Sequence, residues 1–275
     1  MQHGRSGFLT AVLWLGMAFL YIPLVLLIIY SFNYSKLVAV WGGWSLRWYV
    51  ELFQSEEVWA AVWLSLRIAV VNATFATLLG TLAGLAMVRF GRFRGRTLFG
   101  GMLSAPLVMP EVITGLSLLL LFITLNEWIG WPAQRGFSTI TIAHITFSLA
   151  YVAVIIQSRL TGMGQDLEEA ALDLGAKPLR VLMDITLPRL APGMVAGWLL
   201  AFTLSLDDLV IASFVTGPGS STLPILIYSR IRLGLRPDIN ALATIIILTV
   251  AIGVAIAAYL MLRQQKIAAA EAAAR

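Results

Sequence analysis

The chain has 275 residues, of which 59% are apolar and only 12% are charged. Soluble domains carry about 25% charged residues, so this composition excludes an ordinary soluble domain. It also excludes a disordered chain, which needs low hydrophobicity and high charge. The absence of cysteine excludes disulfides, thiolate metal sites and thiol catalysis. The net charge of +5 suits a nucleic-acid ligand only if the basic residues share one face, so they must first be placed relative to a membrane.

Six segments are long and apolar enough to cross a membrane, for which a helix needs about 20 mostly apolar residues. In chain order they are residues 8–32, 58–88, 98–125, 139–158, 191–216 and 239–262. The first follows basic residues, as in a secretory signal, but it is too long for a signal core and lacks small residues at a cleavage site. We predict that it is a retained anchor. The sequence thus predicts an all-α integral membrane protein with a single transmembrane domain over residues 1–275.

Lysine and arginine in the connections set the orientation, because they are retained on the cytoplasmic side. With six spans, the two termini share one side of the membrane. That side carries twelve basic residues: Arg5, Arg89, Arg92, Arg94, Arg96, Arg159, Lys177, Arg180, Arg189, Arg263, Lys266 and Arg275. The opposite side carries six: Lys36, Arg47, Arg135, Arg230, Arg232 and Arg236. Both termini are therefore predicted to be cytoplasmic, and the positive charge needs no nucleic-acid partner.

The cytoplasmic connection at residues 159–190 is longer than a link between two helices requires. Gly175 is a suitable helix terminator, and Pro178 suits the first turn of a following helix, so two short helices at a bend are expected. By periodicity alone, amphipathic helices lying on a membrane surface have the same pattern. The apolar face of the first helix consists of Leu167, Ala170, Ala171 and Leu174, and its acidic residues Asp166, Glu168, Glu169 and Asp173 point elsewhere.

The spacing in this connection resembles the EAA loop of ATP-binding-cassette importer permeases, whose pattern is E-A-A-x3-G-x9-I-x-L-P. The chain matches every position of the pattern through Glu169, Ala170, Ala171, Gly175, Ile185, Leu187 and Pro188. The resemblance implies the type I importer permease fold, with five core spans and an additional N-terminal one. It also implies that the loop seats in a groove on an ATPase subunit and transmits closure of that subunit to the spanning helices.

Hydrolysis of ATP is expected to come from partner subunits. A phosphate-binding P-loop needs G-x-x-x-x-G-K-[S/T], but Lys36, Lys177 and Lys266 follow Ser, Ala and Gln. We therefore expect a pore-forming subunit that is not an enzyme and holds no cofactor or metal, with ATP and Mg²⁺ bound by the ATPases. The resemblance implies a bacterial inner-membrane location. The implied partners are a second homologous permease, two ATPase subunits, a periplasmic binding protein and membrane lipid.

Ionisable residues inside membrane spans are costly and are functional candidates. Four lie at middle to outer depth, where they could share one cavity: Arg67, Glu111, Asp207 and Asp208. Their net charge is −2 if all are ionised, which suits a small dication. A buried ion pair between Arg67 and one carboxylate is the structural alternative. Pro106 and Pro110 remove backbone donors before Glu111 and can bend that helix or expose carbonyls.

Three stretches, residues 105–122, 197–219 and 239–244, look like the polyamine branch of the importer family, particularly the permeases for putrescine and spermidine. The resemblance implies a linear polycation delivered by a periplasmic polyamine-binding protein. Ammonium groups favour carboxylates and aromatic faces, the latter worth about 0.5–2 kcal/mol each. Phe214 is one available aromatic residue. The predicted substrate pathway consists of Glu111, Asp207 and Asp208, with the aromatic residues Phe202 and Tyr228 secondary to them.

Other functions stay open from the residues alone. A proton-coupled secondary transporter of organic cations could use Glu111 or Asp208 as a proton site, and an importer permease could carry another substrate. A membrane-embedded enzyme would need histidine or carboxylate clusters at metal spacing, which the sequence lacks. We expect His144 to be hydrogen-bonded between helices rather than to relay protons. Gly80 and Gly84, spaced G-x-x-x-G, predict close helix packing.

Overall fold

The computed structural model describes residues 7–37, 40–234 and 237–273. Most of them are helical, and the one β-type pairing found among them is an isolated bridge between Asn33 and Trp44. A π-helical turn, Leu182–Thr186, joins the helices Pro178–Val181 and Leu187–Asp207. The helices are α1 (Gly7–Tyr30), α2 (Arg47–Phe53), α3 (Glu56–Arg89), α4 (Arg96–Val108), α5 (Glu111–Ile129), α6 (Phe137–Gly162), α7 (Asp166–Asp173), α8 (Pro178–Val181), α9 (Leu187–Asp207), α10 (Val210–Val215), α11 (Leu223–Leu233) and α12 (Pro237–Ala273).

Six helical segments of the described chain have the length and apolarity to cross a membrane, as the sequence predicts. They are Gly7–Tyr30, Glu56–Arg89, Glu111–Ile129, Phe137–Gly162, Pro178–Asp207 and Pro237–Ile256. The all-α fold and the number of spans are therefore confirmed. Arg5, Arg236 and Arg275, which the predicted charge asymmetry includes, lie outside the described residues.

The third span differs from the predicted continuous segment at residues 98–125. α4 ends at Val108, and α5 begins at Glu111 and continues to Ile129. Pro110 explains the interruption, because a proline disfavours helical geometry in the residue before it. Met109 accordingly has an extended ψ of 136°. The predicted bend is confirmed at Pro110, and Glu111 starts a helix instead of lying inside one.

The fifth span and the loop before it also begin and end at other residues than predicted. The predicted span is 191–216, and the predicted loop is 159–190. α6 continues to Gly162, and helix resumes at Pro178, which leaves residues 163–177 for the loop and α7. From Pro178 the chain is helical through the π-helical turn to Asp207. Apolar content marks the part of a helix that suits a membrane, and these helices extend beyond it.

The chain divides into two compact units, of which the first contains Met1–Glu56 and Ile227–Arg275. In this unit α12 packs against α1 and α2. The Trp48 indole is 2% exposed and donates its Nε1 hydrogen to the backbone oxygen of Asn33 at 2.6 Å. This bond ties α2 to the segment that follows α1.

The second unit, Glu57–Leu226, contains a core formed by α3, α6 and α9. Buried Asn72 of α3 donates from Nδ2 to Ser148 Oγ at 3.2 Å and to the Ala201 backbone oxygen at 2.8 Å. One amide therefore links three helices. A second apolar cluster joins α3, α5 and α6 to α10.

Gly80 and Gly84 bring α3 against α6. A Cβ added to Gly80 would lie 2.8 Å from Val152 Cβ, and one added to Gly84 would lie 2.6 Å from Ile156 Cγ2. Carbon atoms do not approach so closely without displacement. The predicted close packing at the G-x-x-x-G spacing is confirmed, and it lies within this chain.

We expect Gly84→Ala to lower the free energy of unfolding by about 1–3 kcal/mol, the usual cost of an added methyl group in a close-packed core. Gly101→Ala in α4 is the matched control, because a Cβ there meets nothing within 4 Å. Thermal unfolding of the purified protein in detergent measures both variants. Equal midpoints for the two would contradict the close packing of α3 on α6.

Candidate functional site

The fifth span ends at two adjacent carboxylates. α9 ends at Asp207, Asp208 is extended with ψ 118°, and α10 begins at Val210. The Asp208 carboxylate accepts hydrogen bonds from the N–H groups of Ile211 at 3.3 Å and Ala212 at 2.7 Å. These groups have no partner inside the helix at its first turn, so Asp208 caps the start of α10.

His144 of α6 holds the same carboxylate from another direction. Its Nε2 lies 3.0 Å from Asp208 Oδ2, its Nδ1 lies 2.7 Å from Ser205 Oγ, and its side chain is 2% exposed. An ionised carboxylate only accepts, so in the neutral ring Nε2 donates to Asp208 and Nδ1 accepts from the Ser205 hydroxyl. His144 is thus hydrogen-bonded between helices, as predicted.

Glu111 lies at the other helix break. It is the first residue of α5 and is exposed, and a carboxylate is favoured there by the helix dipole. α5 packs closely on α10, since a Cβ on Gly115 would lie 2.7 Å from Phe214 Cδ2 and 3.3 Å from Ile211 Cα. The helix that begins at Glu111 and the helix that begins just after Asp208 therefore form one packed pair.

Arg67 is not paired with any of the predicted pathway carboxylates in the described residues. Its guanidinium lies 5.2 Å from the ring centroid of Phe137, and the side chain is exposed. None of the ion pairs found in the described residues joins it to Glu111, Asp207 or Asp208. The alternative of a buried ion pair through Arg67 is therefore not what the described part of the chain contains.

The remaining predicted pathway residues differ in whether their side chains already contact a partner within the chain. Asp207 is exposed, in contrast to its neighbour. Phe202 stacks on Trp198 with ring centroids 5.3 Å apart and planes at 10°. The Tyr228 ring already faces a cation, since the Arg232 guanidinium lies 4.6 Å from its centroid. Both predicted aromatic residues therefore have partners within the chain.

α7 ends as the sequence predicts, at Gly175. This glycine has φ +83°, and its N–H donates to the Leu172 oxygen at 2.9 Å, while the Ala176 N–H donates to the Ala171 oxygen at 3.0 Å. This is a Schellman motif, which favours glycine because a Cβ is strained at positive φ. α8 then begins at Pro178, so both predicted features of the loop are confirmed.

The predicted apolar face of α7 is uncovered in this chain. Leu174 is 89% exposed, and Leu179 in α8 is 70% exposed. Glu169 lies exposed on the same helix, and exposed apolar surfaces with a polar rim are typical of interaction sites. Three more apolar or small residues are exposed on the same surface: Leu167, Ala170 and Met183. We call the surface formed by these three residues with Leu174 and Leu179 the loop face. Ile185 in the π-helical turn and Leu187 at the start of α9 are partly buried, and Pro188 is exposed.

Comparison with protein families gives a match over most of the chain. Residues 76–266 match the family described as the inner membrane component of binding-protein-dependent transport systems. The chain belongs to this family. The matched range includes both helix breaks and the whole loop that contains α7, so this permease carries the predicted sites inside its family domain.

Individual relatives agree with the family. The permease is 59% identical over 262 residues to the putrescine transport system permease protein PotI of Escherichia coli K12, covering 95% of this chain and 93% of the relative. It is 44% identical over 243 residues to the spermidine/putrescine transport system permease protein PotC of the same strain, covering 88% of each. Polyamine transport permeases are therefore among its relatives, as the sequence resemblance implies.

Solved structures share the fold. A bacterial alginate ABC transporter, in complex with an alginate pentasaccharide-bound periplasmic protein, contains a chain that superposes with a TM-score of 0.67 at 20% identity. The match covers 89% of this chain and 88% of that chain. The predicted fold of an ABC importer permease is confirmed.

Two contacts in the structure could not be predicted from the sequence. His144 and Asp208 lie 64 positions apart, and Arg89 pairs with Glu168 across 79 positions. Helical periodicity describes one helix at a time, so it cannot pair residues on different helices. A histidine inside an apolar span is nevertheless a signal that a polar partner lies on another helix.

We expect Asp208→Ala to lower the free energy of unfolding by about 2 kcal/mol or more, because it leaves His144 and two amides of α10 without their acceptor. Asp207→Ala is the matched control, and its effect should stay within about 0.5 kcal/mol because the side chain is exposed. Thermal unfolding in detergent compares them. A larger loss for Asp207→Ala than for Asp208→Ala would show that the capping role is assigned to the wrong residue.

Proposed function

We propose that this permease is the membrane-spanning subunit of an ATP-driven importer that moves polyamines, putrescine or spermidine, into the cytoplasm. The observation that carries the proposal is the 59% identity with a putrescine permease across 95% of the chain. The polyamine is delivered by a periplasmic polyamine-binding protein. The chemistry of the site supports this substrate class, because exposed carboxylates at two helix breaks suit a flexible chain with positive charges at its ends.

In this function Glu111 and Asp207 contact the ammonium groups of the passing polyamine. Both are exposed, and a carboxylate 4 Å from an ammonium group gains about 1 kcal/mol in water and about 4 kcal/mol near a protein surface. Asp208, Phe202 and Tyr228 have secondary parts, because each already has a partner within the chain. Asp208 mainly holds the shape of the break beside Asp207.

We expect Glu111→Gln and Asp207→Asn each to lower putrescine uptake about tenfold, the equivalent of about 1.4 kcal/mol, because each removes one charge without changing side-chain size. Asp207→Asn should leave the thermal unfolding midpoint unchanged, and Glu111→Gln should lower it only slightly, because it removes the favourable charge at the first turn of α5. Uptake of labelled putrescine into proteoliposomes containing the assembled complex measures the effect. The control is Glu51→Gln, which neutralises a partly exposed carboxylate of α2 that pairs with Arg47 and should leave uptake unchanged.

The roles of Glu111 and Asp207 would be wrong if both variants transported putrescine as the unchanged permease does. The substrate assignment would be wrong if an unrelated neutral solute were transported and putrescine were not. Uptake driven by a proton gradient, without ATP or an ATPase subunit, would instead indicate a secondary transporter.

The energy for transport is supplied by two ATPase subunits, which bind ATP and Mg²⁺ and dock on the loop face. This permease pairs with a second homologous permease to complete the pore, and both termini of this chain are cytoplasmic. The uncovered apolar residues of α7 and α8, with Glu169 beside them, support a docking role. Purification of the complex from the native membrane and identification of its subunits tests the assembly.

We expect Glu169→Lys to reduce uptake per ATP hydrolysed about tenfold. The substitution reverses a charge in the docking pattern, and a reversed charge at an interface replaces attraction to the partner with repulsion. Gly175→Leu should act in the same direction through strain at φ +83°. The control is Asp184→Lys, at an exposed residue in the same region whose identity the pattern leaves unspecified. ATPase activity and uptake are measured together. Normal uptake in both test variants would contradict docking through this loop.

A further inference from the structure

Glu168 precedes the coupling pattern by one residue, yet its side chain is largely buried, whereas Glu169 is exposed. Its carboxylate meets Arg89, the last residue of α3: Arg89 Nη2 donates to Oε1 at 3.2 Å, and Arg89 Nε lies 3.1 Å from Oε2. Both side chains are only 13% exposed. The sequence predicts only that Glu168 points away from the apolar face of α7, and the structure shows that it turns inward to Arg89.

The same carboxylate also binds the helix that follows the loop. The Thr186 hydroxyl donates to Glu168 Oε1 at 3.0 Å, and Thr186 is buried at the end of the π-helical turn. Arg89 further donates from Nη2 to the Met163 oxygen at the end of α6. The cluster Arg89, Glu168 and Thr186, here called the loop clamp, therefore connects α7 to the ends of α3 and α6 and to the start of α9.

The position of the clamp gives it mechanical consequences. From Pro178 the chain is helical through the π-helical turn to Asp207, and α9 alone spans about 31 Å at about 1.5 Å per residue. A π-helical turn carries an extra residue in the helical ladder and is a frequent feature of functional sites. Thr186 is the point at which α7 is bonded to this long helix, whose far end bears the exposed carboxylate.

We propose that Glu168 is a positioning residue, which fixes α7 on α3 and α9 so that movement of the loop face is passed to the helix ending at Asp207. This inference rests on the proposed docking of an ATPase on the loop face. Without the clamp, movement of α7 is no longer passed through Glu168 and Thr186 to the start of α9, and only the contacts of α8 and the π-helical turn still pass it on. Less substrate is then transported per ATP hydrolysed, although the loop face itself is intact.

The test compares uptake with ATP hydrolysis in the purified complex in proteoliposomes. Glu168→Gln and Arg89→Gln should each lower putrescine uptake per ATP hydrolysed about fivefold or more, while the ATPase subunits still co-purify. The double variant should be no worse than either single variant, because both changes remove the same contact. Matched controls are Asp184→Asn and Arg92→Gln, which neutralise exposed side chains nearby and should leave the ratio unchanged.

Thr186→Val is a second probe that keeps the ion pair and removes only the bond to α9. It should also lower the ratio, and it decides the matter if the charge variants do not assemble. A proportional fall in uptake and hydrolysis, with an unchanged ratio, would show a merely structural role and overturn the proposal. If no ATPase co-purifies even with the unchanged permease, the proposed function itself fails, and the loop clamp loses its part in coupling with it.

Discussion

A helix that breaks at membrane depth releases peptide groups that hydrocarbon cannot hydrogen-bond, so a spanning chain can break only where it supplies replacements. After Asp207 the replacement is the Asp208 carboxylate, which accepts from two amides of α10 and is held by buried His144. At Pro110 the chain loses one donor outright, because proline has no N–H group. The two solutions place exposed carboxylates at both breaks, and the inferred substrate pathway depends on them.

The breaks need a rigid frame around them. Gly80 and Gly84 let α3 approach α6 closely, and the Asn72 amide bonds both α6 and α9. Gly115 lets α5 approach α10 just beyond Glu111. Small residues thus replace the hydrophobic driving force that helices lack in lipid, since close contact and interhelical hydrogen bonds are what remain available there.

One long helix runs from the end of the loop to Asp207, the carboxylate proposed for the pathway. Because helix is continuous from Pro178 to Asp207, the segment that follows Gly175 is a short non-helical link and then a single long element. α7 is bonded to that element through the hydrogen bond between Glu168 and Thr186, and Glu168 also pairs with Arg89 of α3. A mechanical input at the loop face therefore has a direct structural route to the carboxylate at the far end of α9.

The sequence alone determined the membrane class, the six spans, the helix end at Gly175, the helix start at Pro178 and the candidate carboxylates, because each depends on local composition or on one helix at a time. The family resemblance rested on the spacing within one short loop. Only the tertiary structure decided that Asp208 is hydrogen-bonded to His144 while Asp207 is exposed. It also decided that Arg67 lies over the Phe137 ring and that Glu168 turns inward to Arg89. These outcomes depend on which helices become neighbours, and hydrogen-bond partners 64 to 79 positions apart leave no periodic signal in the chain.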